Sequence, residues 1–214
     1  MHPLNSLLEL IERLLGPGGC PWDQKQTLAS MRPNLIEEAY EVIEAIDLED
    51  NSHMEEELGD LLFNVIFLCR LAKKEGRFTL EDVLTRLIAK LIYRHPHVFG
   101  KAECKNGEEV LKQWEQIKQI EDKGKNRHSL LDGIPKNLPS LARAQKMLKK
   151  LKKSPEQSFL SKIEPTNLSP EKLAGERLWE LTQELADQGI QVEQALQKKL
   201  SQLEAAYRAS ETAS

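Results

Sequence analysis

Aromatic residues are scarce in this 214-residue chain, at 5% of the whole. That scarcity suits helix bundles better than β-sandwiches. No apolar run approaches the ~18–20 residues that a membrane span requires, so no membrane partner is expected. An excess of basic charge is missing as well. The formal net charge of −4 leaves no basic footprint for non-specific nucleic-acid binding, and no nucleic-acid partner is expected. Cysteine is rare. Cys20, Cys69 and Cys104 are odd in number and form no C-x-x-C pair, so they read as reduced thiols of a cytoplasmic protein. The opening run over residues 4–15 carries Glu9 and Glu12 at helical spacing, which reads as an amphipathic helix rather than a signal peptide. What is abundant is 40% hydrophobic and 30% charged sequence, enough for one large or two small domains.

Helical periodicity dominates and strand alternation is absent, so the fold class is all-α. A first helix covers residues 4–15, followed by a Gly- and Pro-dense stretch, 16–23, that cannot be helical. Pro33 suits the first turn of a helix reaching residue 48. Asn51 or Ser52 is the expected cap of the next helix, which ends near Gly76. Thr79 and Asp82 open a fourth to Arg94, where His95-Pro96-His97 stops it, and a fifth covers 108–122. These elements give a first domain over 1–123 and a linker over 124–139. The remainder, 140–214, holds a basic helix over 141–152, a polar loop containing Pro155, Pro165 and Pro170, and two helices over 171–188 and 192–209. A weak internal repeat links the halves. Gly59-Asp60-Leu61-Leu62 resembles Gly175-Glu176-Arg177-Leu178, and Leu80-Glu81-Asp82-Val83-Leu84 resembles Val192-Glu193-Gln194-Ala195-Leu196. The second copy lacks the acid-rich helix that precedes the first, so it is expected to be degenerate and catalytically inactive.

That acid-rich stretch is the most unusual part of the chain. Between Pro33 and Cys69 there are eleven Asp and Glu residues and no Lys or Arg. Like charges one turn apart repel, so uncompensated charge on this scale suggests an external cation. Glu38 and Glu41 share one helix face at i,i+3, and Glu57 with Asp60 repeats the spacing on the next helix. A short connection makes the two helices antiparallel neighbours, able to converge four carboxylates on one site. Oxygen ligands without His or Cys select Mg²⁺, with Mn²⁺ as a substitute, over zinc. A solvated acidic face is the bland alternative for either pair alone. The expected core faces are Leu35, Ile36, Ala39, Val42, Ile43 and Ile46 on the first of these helices, and Leu58, Leu61, Leu62, Val65, Ile66 and Cys69 on the second. Phe63 and Phe67 make the other side of the second helix apolar too, as expected of a helix buried on several sides. Asn64, inside that apolar run, is a candidate to orient a metal carboxylate. A calcium loop of the EF-hand type starting at Asp47 fails, with Ser52 in place of the turn glycine and Leu58 in place of the bidentate glutamate.

The ordered set Glu38-x-x-Glu41, fifteen intervening residues, then Glu57-x-x-Asp60 resembles the E-x-x-E…E-x-x-D signature of MazG-type pyrophosphohydrolases. The flanks agree: Gly16-Pro17-Gly18-Gly19-Cys20-Pro21-Trp22-Asp23, Glu37-Glu38-Ala39-Tyr40-Glu41, Glu56-Glu57-Leu58-Gly59-Asp60-Leu61-Leu62-Phe63 and Arg94-His95-Pro96-His97-Val98-Phe99. The resemblance implies a MazG-like helical bundle, a four-helix-bundle-like unit completed by dimerisation. It implies hydrolysis of nucleoside triphosphates between the α and β phosphates, with Glu38, Glu41, Glu57 and Asp60 as metal ligands and catalytic groups. Glu37, Lys90, Arg94 and Trp114 match substrate-binding positions, although Trp114 equally suits burial in a bundle. The i,i+4 spacing of Lys90 and Arg94 independently puts two cations on one helix face, able to grip a polyphosphate. Trp22 and Asp23 read as loop anchors, and His95 with His97 as a helix stop rather than a metal pair. In the second half Leu173 and Glu176 stand where Glu57 and Asp60 stand in the first. Two rivals stay open: a narrower all-α pyrophosphohydrolase for dUTP or phosphoribosyl-ATP, and a non-enzymatic adaptor presenting its acidic face to a basic partner.

Overall fold

A computed structural model of the chain describes residues 2–123, 129, 131–152 and 169–212. Every regular element among them is helical: α1 (Pro3–Leu15), α2 (Arg32–Asp47), α3 (Asn51–Lys74), α4 (Leu80–Arg94), α5 (Pro96–Phe99), α6 (Gly107–Lys123), α7 (Ser140–Leu151), α8 (Pro170–Asp187) and α9 (Val192–Thr212). They form two compact units, residues 1–114 and 115–214, divided inside α6. Residues 124–128 and 130 of the expected 124–139 linker, and the loop holding Pro155 and Pro165, lie outside the described residues; Pro170 opens α8.

Local chemistry sets the boundaries. After α1 the chain doubles back so closely that a Cβ on Gly19 would stand 2.2 Å from the Leu14 carbonyl oxygen, which only glycine permits. A 3₁₀ turn over Asp23–Lys25 follows, within a stretch expected to be irregular. Pro33 sits in the first turn of α2. The cap of α3 is Asp50 rather than Asn51 or Ser52; its Oδ1 accepts from the backbone N–H groups of Ser52 and His53 at 3.0 and 3.1 Å. Between α2 and α3 lie only Leu48, Glu49 and Asp50. Glu49 has φ 55°, and the N–H of Asp50 reaches the Ala45 carbonyl at 3.0 Å while that of Glu49 reaches Ile46 at 3.2 Å. This is a Schellman-type helix end with glutamate where glycine is usual. Thr79 and Asp82 form a reciprocal capping box on α4. The Pro96 stop is itself a helical turn, α5.

In the first unit the core is Ile11 of α1, Met31, and Ile66, Phe67 and Leu71 of α3. Burying a side chain like Phe67 contributes about 2–3 kcal/mol. The Arg70 guanidinium pins α3 to α1 through Glu12, 2.5 Å away. The expected core faces are therefore corrected. Ile36, Ile43 and Ile46 of α2 and Leu58, Leu62 and Val65 of α3 are exposed, at 37–56%, and the dry side of α3 is the one carrying Phe67. Helix α4 buries no residue and exposes Leu84, Leu87, Ile88, Leu91 and Ile92. Periodicity marked these faces as apolar correctly; among the described residues they stay exposed.

In the second unit Leu148, Thr182 and Val192 are buried. The Gln145 side chain clamps the α8–α9 turn, donating to the Ile190 carbonyl at 2.6 Å and accepting from the Val192 N–H at 3.0 Å. Lys152 pairs with Asp187.

Candidate metal centre

Helices α2 and α3 pack on each other more extensively than any other pair of described elements. Glu38 and Glu41 lie on adjacent turns of α2, and Glu57 and Asp60 on adjacent turns of α3. One oxygen each of Glu38, Glu41 and Glu57 lies within 4.8 Å of the other two. Glu57 is buried at 8% exposure, and Glu38 and Glu41 are half-buried. Asp60 is exposed and outside that close trio, but its charge acts on both Glu38 and Glu57.

The electrostatics show carboxylates that raise one another's pKa. Burial, then a hydrogen bond with Glu41, then the charges of Glu41, Asp60 and Glu57 push Glu38 up to about 7. Glu57 is raised too, by burial first and then by Glu41, against an opposing contribution from His53. That histidine, one turn before Glu57, holds its Nε2 3.0 Å from Glu57 Oε1. Sequence reading missed it, although its i,i+4 spacing ahead of Glu57 was a signal. An all-carboxylate trio that strains against its own charge fits a hard divalent cation, which prefers oxygen donors.

The remaining candidates lie around this trio or apart from it. Glu37 is exposed on α2, Lys90 is exposed on α4, and Arg94 is half-buried at its end. Neither cation is among the charges that shift Glu38 or Glu57. Trp114 is half-buried, its ring edge-on to His95 with centroids 5.5 Å apart. His95 Nδ1 lies 2.6 Å from the Leu91 carbonyl oxygen, and His97 Nδ1 lies 3.1 Å from Gln113 Oε1. Both rings thus tie the α4–α5–α6 corner together. Asp23 is buried as an anchor should be, but Trp22 is 58% exposed. Asn64 also departs from expectation. Its Nδ2 donates to the backbone carbonyl of Asp60 at 3.1 Å, not to a carboxylate.

Residues 26–99, which hold all four acidic positions, match the MazG nucleotide pyrophosphohydrolase domain. The chain is 48% identical over 151 residues to a nucleoside triphosphate pyrophosphohydrolase of Escherichia coli K12, covering 70% of this chain and 57% of the relative. It is 46% identical over 141 residues to the nucleoside triphosphate pyrophosphohydrolase/pyrophosphatase MazG of Thermotoga maritima, covering 66% and 53%. The chain thus spans little more than half the length of these relatives. The crystal structure of a MazG-related protein from Thermotoga maritima is 31% identical, covering 54% of this chain and 98% of that one, with a TM-score of 0.48.

Proposed function

The chain belongs to the MazG nucleotide pyrophosphohydrolase family, and from that premise we propose that it hydrolyses ribo- and deoxyribonucleoside triphosphates to nucleoside monophosphate and pyrophosphate with Mg²⁺. The observation that carries this reading is the trio of Glu38, Glu41 and Glu57, drawn from two helices to within 4.8 Å, with no Lys or Arg of the described residues among the charges that shift Glu38 or Glu57. Bound there, a divalent cation neutralises phosphate charge and lowers the pKa of an attacking water. Glu38, Glu41, Glu57 and Asp60 hold it, and Mn²⁺ substitutes. Burial, and after it the hydrogen bond with Glu41, hold the Glu38 carboxyl up at about 7, so cation uptake near neutral pH is coupled to proton release. Lys90 and Arg94 grip the polyphosphate, Glu37 contributes to substrate binding and Trp114 stacks on the base.

The exposed apolar faces of α2, α3 and α4 support a homodimer in which a second copy completes the four-helix unit. Three unpaired cysteines support a cytoplasmic location, and no described helix is long and apolar enough to cross a membrane. The division into a catalytic region over 1–123, a linker over 124–139 and an inactive structural region over 140–214 belongs to the same proposal.

The test is product identification over a panel of NTPs and dNTPs. Monophosphate and pyrophosphate should appear in equal amounts, with free phosphate only after a pyrophosphatase is added. Direct release of phosphate and a nucleoside diphosphate would overturn the bond assignment. Turnover of dUTP or phosphoribosyl-ATP alone would return the chain to the narrower relatives, and no turnover of any nucleotide to the adaptor.

A further inference from the structure

Asn64 is the one polar side chain of α3 sunk between the acidic cluster and the dry core. It is 3% exposed. Along α3 it stands one turn beyond Asp60 and two beyond Glu57, and the same stripe continues through Phe67 and Leu71 into the core. The amide is not free to turn over. Nδ2 faces the Asp60 carbonyl oxygen, which can only accept, so Oδ1 must point the other way. That oxygen is buried and has no hydrogen-bond partner among the described residues. A buried acceptor left unmade costs stability, and a leucine here would avoid that cost. The orphan oxygen therefore points to a donor supplied from outside the chain.

The surroundings narrow what that donor is. The carboxylates of Glu38, Glu41, Glu57 and Asp60 offer acceptors, and Asn64 adds another one turn further along the same stripe of α3. A polyphosphate offers only more acceptors. A hydrated Mg²⁺ is the complement, because it keeps several waters in its shell and each of them presents only O–H donors. We propose that Asn64 is a positioning residue for the cation, its Oδ1 accepting a hydrogen bond from the cation's hydration shell while its Nδ2 stays anchored on the Asp60 carbonyl. This rests on the divalent-cation reading of the carboxylate cluster.

The experiment uses the full chain without nucleotide. Mn²⁺ binding is followed by the electron paramagnetic resonance of free Mn²⁺, and melting is measured in EDTA. Asn64→Leu should bind Mn²⁺ about tenfold more weakly, the usual effect of losing an outer-sphere partner. It should melt in EDTA no lower than the parent, since the orphan acceptor is gone. Asn64→Asp restores an acceptor, so it should bind Mn²⁺ at least as tightly as the parent while melting lower in EDTA. Asn64→Ala carries the same affinity test should leucine fail to pack. A purely structural amide would give the opposite pattern: Asn64→Leu melting lower and binding Mn²⁺ as before, which overturns the proposal. Unchanged Mn²⁺ binding with a raised KM for nucleotide also overturns it, and would turn Oδ1 toward the base or sugar. Glu57→Gln separates the two levels. Weakened binding in Glu57→Gln but not in the Asn64 variants sinks only the role of Asn64; parental binding in Glu57→Gln sinks the cation site itself.

Discussion

Helices α3 and α8 both close on a glycine in the left-handed region, φ 68° at Gly76 and 79° at Gly189. Each stop uses the same pair of backbone bonds: Gly76 to Lys73 with Arg77 to Ala72, and Gly189 to Ala186 with Ile190 to Leu185. Upstream the two helices diverge. With Gly59 aligned on Gly175, where α3 has Glu57, Asp60 and Ile66, α8 has Leu173, Glu176 and Thr182 and is three residues shorter to its stop. Leu173 and Glu176 are exposed, and Thr182 is buried by donating its hydroxyl to the Leu178 carbonyl at 2.6 Å. The following helices differ likewise: aligning Leu80 of α4 with Val192 of α9 places Gln202 and Ala206 opposite Lys90 and Arg94. A helix stop is local chemistry and survives on a few residues. A carboxylate cluster needs two helices, and the described second unit offers no partner corresponding to α2.

The largest effect expected from this contrast is on turnover. Glu41→Gln or Asp60→Asn should lower kcat/KM by about 10²-fold or more with helical circular dichroism intact, whereas Glu176→Gln should be indistinguishable from the parent. Equal losses at Asp60 and Glu176 would break the comparison. Next comes the cationic pair. Lys90→Ala with Arg94→Ala should raise KM for nucleotide by about tenfold, the loss of one or two charge-assisted bonds, and leave Mn²⁺ binding without nucleotide unchanged. Unaltered kinetics would make them ordinary surface charges.

A smaller effect concerns pH. The Glu38 carboxyl titrates at about 7 in the fold against an ordinary 4.5, so the folded state holds the extra proton between those values. Its stabilising contribution is complete below about 4.5 and is lost as pH rises through about 7, and the raised Glu57 acts in the same direction. Asp82 is shifted downward by Thr79, so its stabilising contribution is lost only at more acidic pH. In EDTA the first unit should therefore melt at lower temperature at about pH 8 than at about pH 5. Glu38→Gln should flatten that slope, which differential scanning calorimetry can read. A flat profile in the parent would mean the cluster's charges are compensated after all.

The order of the helices was legible because Gly, Pro and cap-forming residues punctuate a consistent 3.6-residue period, and the acidic trio because i,i+3 spacing on adjacent helices is a geometric statement. The direction of burial was not. An apolar face at Ile36, Ile43 and Ile46 says that something covers it, not which chain supplies the cover. Asp50, Asn51 and Ser52 are all competent caps, and only backbone geometry chooses among them. The partner of Asn64 was misread because the backbone carbonyl and the carboxylate of Asp60 are equally distant in sequence.

Glu49 sits at a helix end where the left-handed backbone costs a side-chain-bearing residue about 1–2 kcal/mol. It also adds negative charge at the carboxyl end of α2, where the dipole disfavours it. The connection that sets the two acid-bearing helices side by side therefore leaves thermodynamic headroom. Glu49→Gly should raise stability by about 1 kcal/mol in urea titrations without touching the cluster. In that reinforced background, cluster variants too fragile to purify become measurable, and a loss of turnover can be told apart from a loss of fold.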